Sequence, residues 1–378
     1  MNEAFETIYL LAALQGLLLS LFLFTKKENH AANLILAVAT IALSIELASV
    51  AYYTRGWYKI LPHAMGFSYP FPFLYGPLFF LYAKLISKKA ERLRASDLLH
   101  LIPMLAVYGI TAPIFFYSGE EKIMFLDSMK QNVHSPVFSV IDGIRPIQGI
   151  IYTVLTIRIV ADYNRNIKES FSTIDLINLN WLRHLTLGLI IIWSIVAFLW
   201  ISTVIMPGLP HIDALLNIPL AILIYIIGYM GLKQPEIFLD PSASSSQAQN
   251  AAKYQRSGLS DENAEEIKRK LLALMASEKP FLRQDLTLQK LAERLKTSSH
   301  NLSEVINRKL NQSYYDFVNQ YRVGEFKSRL ADPDSGRYNL LSIALDSGFQ
   351  SKGTFNSIFK KLTGMTPSQY KATLTANS

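Results

Sequence analysis

Gly348-Phe349-Gln350-Ser351-Lys352-Gly353-Thr354-Phe355-Asn356, continued by Phe359-Lys360-Lys361 and closed by Gly364-Met365-Thr366-Pro367, decides how the last quarter of this chain folds. Gly348 stands where a tight turn between two helices needs a positive φ, which glycine adopts freely. From Ser351 to about Leu362 the apolar Phe355, Ile358 and Phe359 recur at helical spacing, leaving Lys352, Thr354, Asn356, Ser357, Lys360 and Lys361 on the other side. A supporting helix with Leu340, Leu341, Ile343, Ala344 and Leu345 precedes the turn. Such a sequence reads as a helix-turn-helix whose second helix presents a polar face to DNA.

A second unit of the same kind lies upstream. Leu286, Leu288, Leu291, Ala292 and Leu295 form the inward side of one helix, Lys296-Thr297-Ser298 the turn, and Ser299 to about Lys309 the next helix. There Leu302, Val305 and Ile306 face inward, and His300, Asn301, Ser303, Glu304, Asn307 and Arg308 are expected outward. A long helix from Tyr314 to Leu330, with Phe317, Val318, Tyr321, Val323 and Phe326 apolar, joins the two halves. From Phe281 to Ser378 there are 14 Arg and Lys against 8 Asp and Glu, so this segment carries +6 of the formal +8 and favours an acidic partner.

Before these units, Ser260 is the expected N-cap of a helix whose Asp261, Glu262, Glu265 and Glu266 suit the positive end of the dipole. Ile267, Leu271 and Leu274 share one face, which serves either as a dimer seam or as packing on the helix's own domain. So short a stripe makes no sustained coiled coil. Pro241 to Asn250 is a small-polar linker with little to bury, and a flexible coil of about 18 residues spans roughly 21 to 25 Å. The expected division is therefore 1–233, linker 234–259, connecting helix 260–281 and double helix-turn-helix 282–378.

The first part has a different composition. Half of the whole chain is hydrophobic, and its mean hydropathy is +0.21. Runs of about 20 apolar residues cross a bilayer as helices. Seven candidates lie near Ile8–Thr25, Ala31–Tyr53, Ser68–Ile86, Leu98–Tyr117, Val137–Val160, Leu185–Met206 and His211–Leu232. The third begins among Pro70, Pro72 and Pro77, and is either kinked or starts only near Leu74. Residues Met1 to Thr7 carry Glu3 and Glu6 and no basic residue, unlike a secretory leader, so the first segment is expected to stay in the protein. The fold class expected is all-α, a seven-helix transmembrane bundle followed by a soluble DNA-binding domain.

Basic residues in short loops set orientation. With the N-terminus outside, the cytoplasmic side holds Lys26, Lys27, Lys84, Lys88, Lys89, Arg92, Arg94, Arg158, Arg165, Lys168 and Arg183. The other side holds only Arg55, Lys59, Lys122 and Lys130. Seven crossings then place the C-terminus in the cytoplasm, so the expectation is a multi-pass protein of the inner membrane. Trp57, Tyr58, Tyr117 and Trp181 suit interfacial anchors.

Over Leu286 to Tyr370 the chain resembles the AraC/XylS family of transcription regulators. The resemblance is carried by Leu288, Leu291 and Ala292; by Asn319, Tyr321 and Arg322; by Ile343-Ala344 before Gly348-Phe349; and by Phe355, Phe359-Lys360, Gly364, Thr366-Pro367 and Tyr370. The apolar first part looks like a known membrane-bound arrangement of such regulators. Asn311 stands where the family commonly has glycine, and asparagine tolerates the left-handed conformation. The resemblance implies two recognition helices in successive major grooves, with base contacts from their N-terminal halves. By groove chemistry Asn301 and Asn356 suit adenine, Lys352 guanine and Glu304 cytosine, with His300 a further base candidate. Ser299, Asn307, Arg308, Lys309, Ser351, Thr354, Lys360 and Lys361 are the phosphate candidates. Gly353 offers no side chain, so the second helix is expected to discriminate less.

Ionisable groups within apolar segments mark functional sites. Glu46, and Asp142 with Arg145, are the candidates for a signal site, although Asp142 and Arg145, three apart, also suit simple pairing. Gln15, His100, Tyr69, Tyr75 and His134 are further polar candidates. With no cysteine there is no disulfide, thiolate metal site or cysteine nucleophile, and no metal-ligand spacing, catalytic triad or phosphate-binding glycine loop is present. No cofactor and no enzymatic activity are expected. The expected partners are double-stranded DNA, the lipid bilayer, a small-molecule or peptide signal and a second copy of the chain. The rival reading is a transporter or channel under DNA-binding control, which an inverted repeat would support; none is visible.

Overall fold

The structure is a computed structural model that describes residues 3–27, 29–87, 90, 92–130, 136–175, 177–206, 214–233, 259–332 and 338–376. Among them every regular element is a helix, with one isolated β-bridge between Phe171 and Thr287, so the fold is all-α. The expected linker, apart from its last residue, lies outside the described residues, as do Lys88, Lys89, His134 and His211. The chain forms two units, one of residues 1–162 and 179–236, the other of 163–178 and 237–378.

The first unit holds α1 (Glu3–Thr25), α2 (His30–Thr54), α3 (Pro72–Ile86), α4 (Ile102–Phe115), α5 (Gly119–Lys130), most of α6 (Pro136–Ser170), α7 (Asn180–Ile205) and α8 (Ala214–Lys233). Among the described residues five helices are long and apolar enough to cross a membrane: α1, α2, α6, α7 and Ala95–Phe115, in which a 3-10 turn runs into α4. The shorter apolar helices are α3 and Asn217–Met230 within α8. At 1.5 Å per residue, the 23 residues of α1 extend about 35 Å, enough for a hydrocarbon core. These places coincide with the seven apolar runs.

Apolar on both faces, α1 uses one for packing. Tyr9, Ala12, Ala13 and Leu23 are buried, while Leu11, Leu14, Leu18 and Leu21 are each more than half exposed, a stripe suited to hydrocarbon. Its partner α2 buries small residues, including Ala32, Ala39 and Ala42, which lets backbones approach. Buried hydroxyls are satisfied within their own helix: Thr40 donates to Leu36 O at 3.0 Å and Ser44 to Thr40 O at 2.8 Å. Between α6 and α7, a Cβ on Gly149 would lie 2.1 Å from Trp193 Cε2, so the indole rests against bare backbone.

The proline-rich third segment turns through 66–71 and starts its helix at Pro72, where a missing N–H costs nothing. Pro77 remains inside that helix. Amphipathic α5 was not anticipated, yet Ser118 and Glu121 form a reciprocal capping box at its start, with Ser118 N to Glu121 Oε2 at 2.7 Å and Glu121 N to Ser118 Oγ at 3.3 Å. α6 continues ten residues beyond the expected end at Val160, through Asp162, Arg165, Lys168 and Glu169.

The second unit holds α9 (Asp261–Ser277), α10 (Leu288–Arg294), α11 (Ser299–Leu310), α12 (Tyr314–Leu330), α13 (Leu340–Asp346), α14 (Lys352–Thr363) and α15 (Pro367–Ala376). Side chains of Ser260, Thr287, Ser298, Ser313, Asn339 and Ser351 cap the starts of α9 to α14 in turn. Each such cap stabilises by about 1 kcal/mol. α12 serves two cores at once. Tyr314, Phe317 and Val318 join Leu271, Met275, Leu288, Leu291, Leu302 and Ile306; Val323, Phe326 and Leu330 join Ile343, Phe349, Phe355 and Phe359. In the second core Phe326 lies 4.6 Å from Phe355 and 5.3 Å from Phe359 between ring centroids. Leu271 and Met275 are fully buried with Ile267 and Leu274 packed on the same cluster, so the stripe of α9 packs on its own unit.

Two turns are built on left-handed residues. Lys296 (φ 52°) makes the bend before α11, and Gly348 (φ 94°) the matching bend before α14. Asn311, at φ 52°, ends α11 in the left-handed region as its chemistry allows.

Candidate nucleic-acid interface

The helices expected to read DNA are α11 and α14. Each begins at a serine whose hydroxyl accepts a backbone N–H, Asn301 N to Ser298 at 3.0 Å and Thr354 N to Ser351 at 3.2 Å. Behind α11 lie Leu302, Val305 and Ile306, and behind α14 lie Phe355, Ile358 and Phe359, all buried. The faces so fixed present Lys352, Asn356 and Lys360 exposed on α14, with Gly353 beside them, and His300 and Asn301 part-exposed on α11.

Several expected contact residues already have protein partners. Lys309 reaches Asp261 Oδ1 at 2.8 Å and Glu265 Oε1 at 3.2 Å, and these acids hold its ammonium above the usual lysine range. Lys361 reaches Asp316 Oδ1 at 2.7 Å. Glu304 departs from its expected place: it is wholly buried and paired with Arg308, and Ser303 beside it is buried too. The face of α11 is narrower than helical periodicity suggested, because an i,i+4 pair with Arg308 folds the carboxylate down. Glu304 is therefore not offered to a base.

Residues 169–175 add a part that the sequence did not announce. Asn307 Nδ2 donates to Glu169 Oε2 at 3.1 Å, Ser351 Oγ donates to Asp175 Oδ2 at 2.6 Å, and the Thr354 hydroxyl donates to Asp175 Oδ1. Behind them Arg322 is nearly inaccessible to solvent. Its Nε donates to Phe281 O at 2.8 Å, Nη1 to Ser172 O at 3.0 Å, and Nη2 to Arg283 O at 3.0 Å and Ser172 Oγ at 3.2 Å. Burial pulls its guanidinium down to about 10, so it stays charged at neutral pH. A fork of fixed N–H donors gathers three backbone carbonyls: Phe281 O takes its bond from Arg322, while Ser172 O also accepts from Asn319 Nδ2 at 3.2 Å and Arg283 O from Leu286 N at 3.4 Å. Arg165 and Lys168 had been read only for their charge, and nothing in the local pattern tied their neighbours to residues more than 100 positions away.

In the first unit, Arg145 Nη1 pairs with Asp142 Oδ1 at 2.9 Å, Tyr69 Oη donates to Asp142 Oδ1 at 3.0 Å, and Arg145 Nη2 donates to Tyr69 O at 2.9 Å. The guanidinium carbon lies 4.0 Å from the Tyr69 ring centroid. Glu46 is in electrostatic reach of Arg145 and of Tyr75. The three expected signal residues thus fall in one cluster. Glu46 Oε2, Tyr75 Oη and Arg145 Nε are buried there without a hydrogen-bond partner among the described residues. His100 Nδ1 meets Tyr152 Oη at 2.7 Å. No group of three or more His, Asp or Glu able to hold a metal ion occurs among the described residues.

Residues 291–373 match the family model described as a helix-turn-helix domain. Over 88 residues the chain is 31% identical to the melibiose operon regulatory protein of Escherichia coli (strain K12), which covers 23% of this chain and 28% of that protein. It is 33% identical over 88 residues to an uncharacterized HTH-type transcriptional regulator of Staphylococcus aureus (strain COL), 23% of this chain and 11% of the other. A third relative, the uncharacterized HTH-type transcriptional regulator YtdP of Bacillus subtilis (strain 168), is 32% identical over 87 residues, again 23% and 11%. The chain spans less than a third of the length of these relatives. No solved structure matches it. With a capped helix on each side of one connecting helix, and the family match spanning all three, the second unit carries a helix-turn-helix DNA-binding domain of the AraC type.

Proposed function

We propose that this chain is a membrane-bound, sequence-specific transcription regulator. Its apolar helices cross the inner membrane with the N-terminus outside, and its second unit binds promoter DNA in the cytoplasm. The observation that carries this reading is the pair of recognition helices, α11 and α14, joined by α12 in a chain that also holds five membrane-length apolar helices. Asn301 and Asn356 read adenine, Lys352 reads guanine, and His300 contacts a base beside Asn301. Ser299 and Lys360 hold phosphates, joined by Asn307, Arg308, Lys309, Ser351, Thr354 and Lys361 when their acidic partners let go. Glu46, Asp142 and Arg145 form the signal site, which takes a small polar or peptide ligand. Signal changes the association of two copies, and so the local concentration of two DNA-binding units.

Genome-wide mapping of the sites bound by the full-length protein supplies the test. On a duplex recovered that way, Asn301→Ala and Lys352→Ala should each weaken binding about tenfold or more and relax discrimination at one base pair. Unchanged binding in both variants would remove the assignment of this face to DNA. A C-terminal reporter active only outside the inner membrane should stay silent; activity would reverse the orientation.

A further inference from the structure

The last turn of α6 and the stretch after it, residues 169–175, run across the DNA-binding unit and reach both recognition helices. Its centre is anchored to the strand-like stretch before α10. Phe171 bridges Thr287, Ser172 Oγ donates to Leu286 O at 2.6 Å, and Thr173 Oγ1 donates to Gln284 O at 3.0 Å. Arg322 and Asn319 Nδ2 hold the Ser172 carbonyl, at 3.0 and 3.2 Å. On either side of this anchor sits one acid per recognition helix. Glu169 takes the Asn307 amide on α11, and Asp175 takes the hydroxyls of Ser351 and Thr354 at the start of α14.

Those three side chains are candidates for DNA phosphate. The first turn of a helix, with free N–H groups and the positive end of the dipole, attracts an anion. Asp175 supplies one: its charge and two acceptor oxygens reproduce what a phosphate would present. Ser351 can donate to Asp175 while still accepting the N–H of Thr354, so the cap survives the contact. The same hydroxyls cannot serve Asp175 and a phosphate together.

We infer that residues 169–175 form a latch that stands in for DNA phosphate, held closed over α11 and α14 and withdrawn when α6 and α7 shift. The latch rests on the reading that α11 and α14 bind DNA. It gives a signal a short covalent route to the DNA-binding unit, since both flanking helices have membrane length and belong, apart from the end of α6, to the first unit.

The test uses the full-length protein in detergent micelles and the anisotropy of a fluorescent mixed-sequence duplex at low salt, because phosphate contacts are independent of sequence. Asp175→Asn should tighten binding about tenfold, the scale of one charge-assisted hydrogen bond released. Asp175→Ser, which shortens the side chain, should act alike. Adding Ser351→Ala and Thr354→Val to Asp175→Asn should remove most of the gain. Asp285→Asn, which deletes an acid paired with Lys290 and Arg283, is the charge control and should change affinity less than about twofold. If Asp285→Asn tightens binding as much as Asp175→Asn, bulk charge explains the effect and the latch is refuted. If both Asp175 variants bind as the parent does while Lys360→Ala weakens binding, the latch fails and the DNA-binding face stands. If Lys360→Ala changes nothing in either background, the DNA-binding face falls, and the latch with it.

Discussion

Gly348 and Gly364 both have positive φ in the second unit, 94° and 75°, yet their surroundings differ. A Cβ on Gly348 would lie 2.3 Å from Phe281 O and 3.0 Å from Arg322 Nε, whereas one on Gly364 would meet nothing within 4 Å. Gly364→Ala should therefore cost only the left-handed backbone term, about 1–2 kcal/mol. Gly348→Ala adds displacement of the Phe281 carbonyl, which accepts the 2.8 Å bond from Arg322. Weakening a bond from a charged donor costs about 1.5–3 kcal/mol, so the total is about 3–5 kcal/mol. The four tryptophans, Trp57, Trp181, Trp193 and Trp200, all belong to the first unit, so indole fluorescence cannot follow this change. Native-state hydrogen exchange of α12 and α14 amides in the full-length protein can. Exchange should rise roughly 100-fold or more for Gly348→Ala and about tenfold for Gly364→Ala. Equal acceleration in the two variants would refute the argument that the Phe281 to Arg322 contact, and not the backbone angle alone, demands glycine at 348.

Arg322→Met should destabilise the second unit by about 3 kcal/mol or more, because the buried Phe281 carbonyl loses its donor and the Ser172 and Arg283 carbonyls each lose one of two; Arg322→Lys should recover little, lacking the fork. Denaturant melts followed by exchange protection of α12 would show it. Gly149→Ala should loosen α6 from α7, since its Cβ would lie 2.1 Å from Trp193, and the emission of Trp193 should shift with a lower unfolding temperature. Asp285 is held down to about 2 by hydrogen bonds from Lys290 and Arg283. Its contribution is complete above the unfolded carboxyl value near 3.9 and is lost as pH falls toward 2. More than half of its side chain is exposed, so Asp285→Asn should cost under about 1 kcal/mol at pH 7, with the difference from the parent vanishing in acid melts.

Helix-period patterns were legible wherever a buried stripe repeated locally. Leu302, Val305 and Ile306, or Phe355, Ile358 and Phe359, fall at i, i+3 and i+4 spacings that one short window contains, and the structure buries all six. The serine cap at 260 and the bends at Gly348 and Asn311 were legible for the same reason, since a cap and a left-handed turn are chemistry of four or five consecutive residues. Helix α5 could have been found from Ser118 and Glu121. The outward set of α11 was only partly legible, because periodicity assigns a direction from the axis and not a partner, and Glu304 folded onto Arg308.

By itself the amino-acid sequence determined the all-α class, the places of seven apolar helices and the two helix-turn-helix units, because hydrophobic period, caps and turn residues act over a few neighbours. Only the tertiary structure decided which polar groups of the recognition helices are taken. Asp175 meets Thr354 across 179 positions and Arg322 meets Ser172 across 150. Contacts at that separation are made by the packing of the second unit as a whole, and leave no periodic trace in the chain.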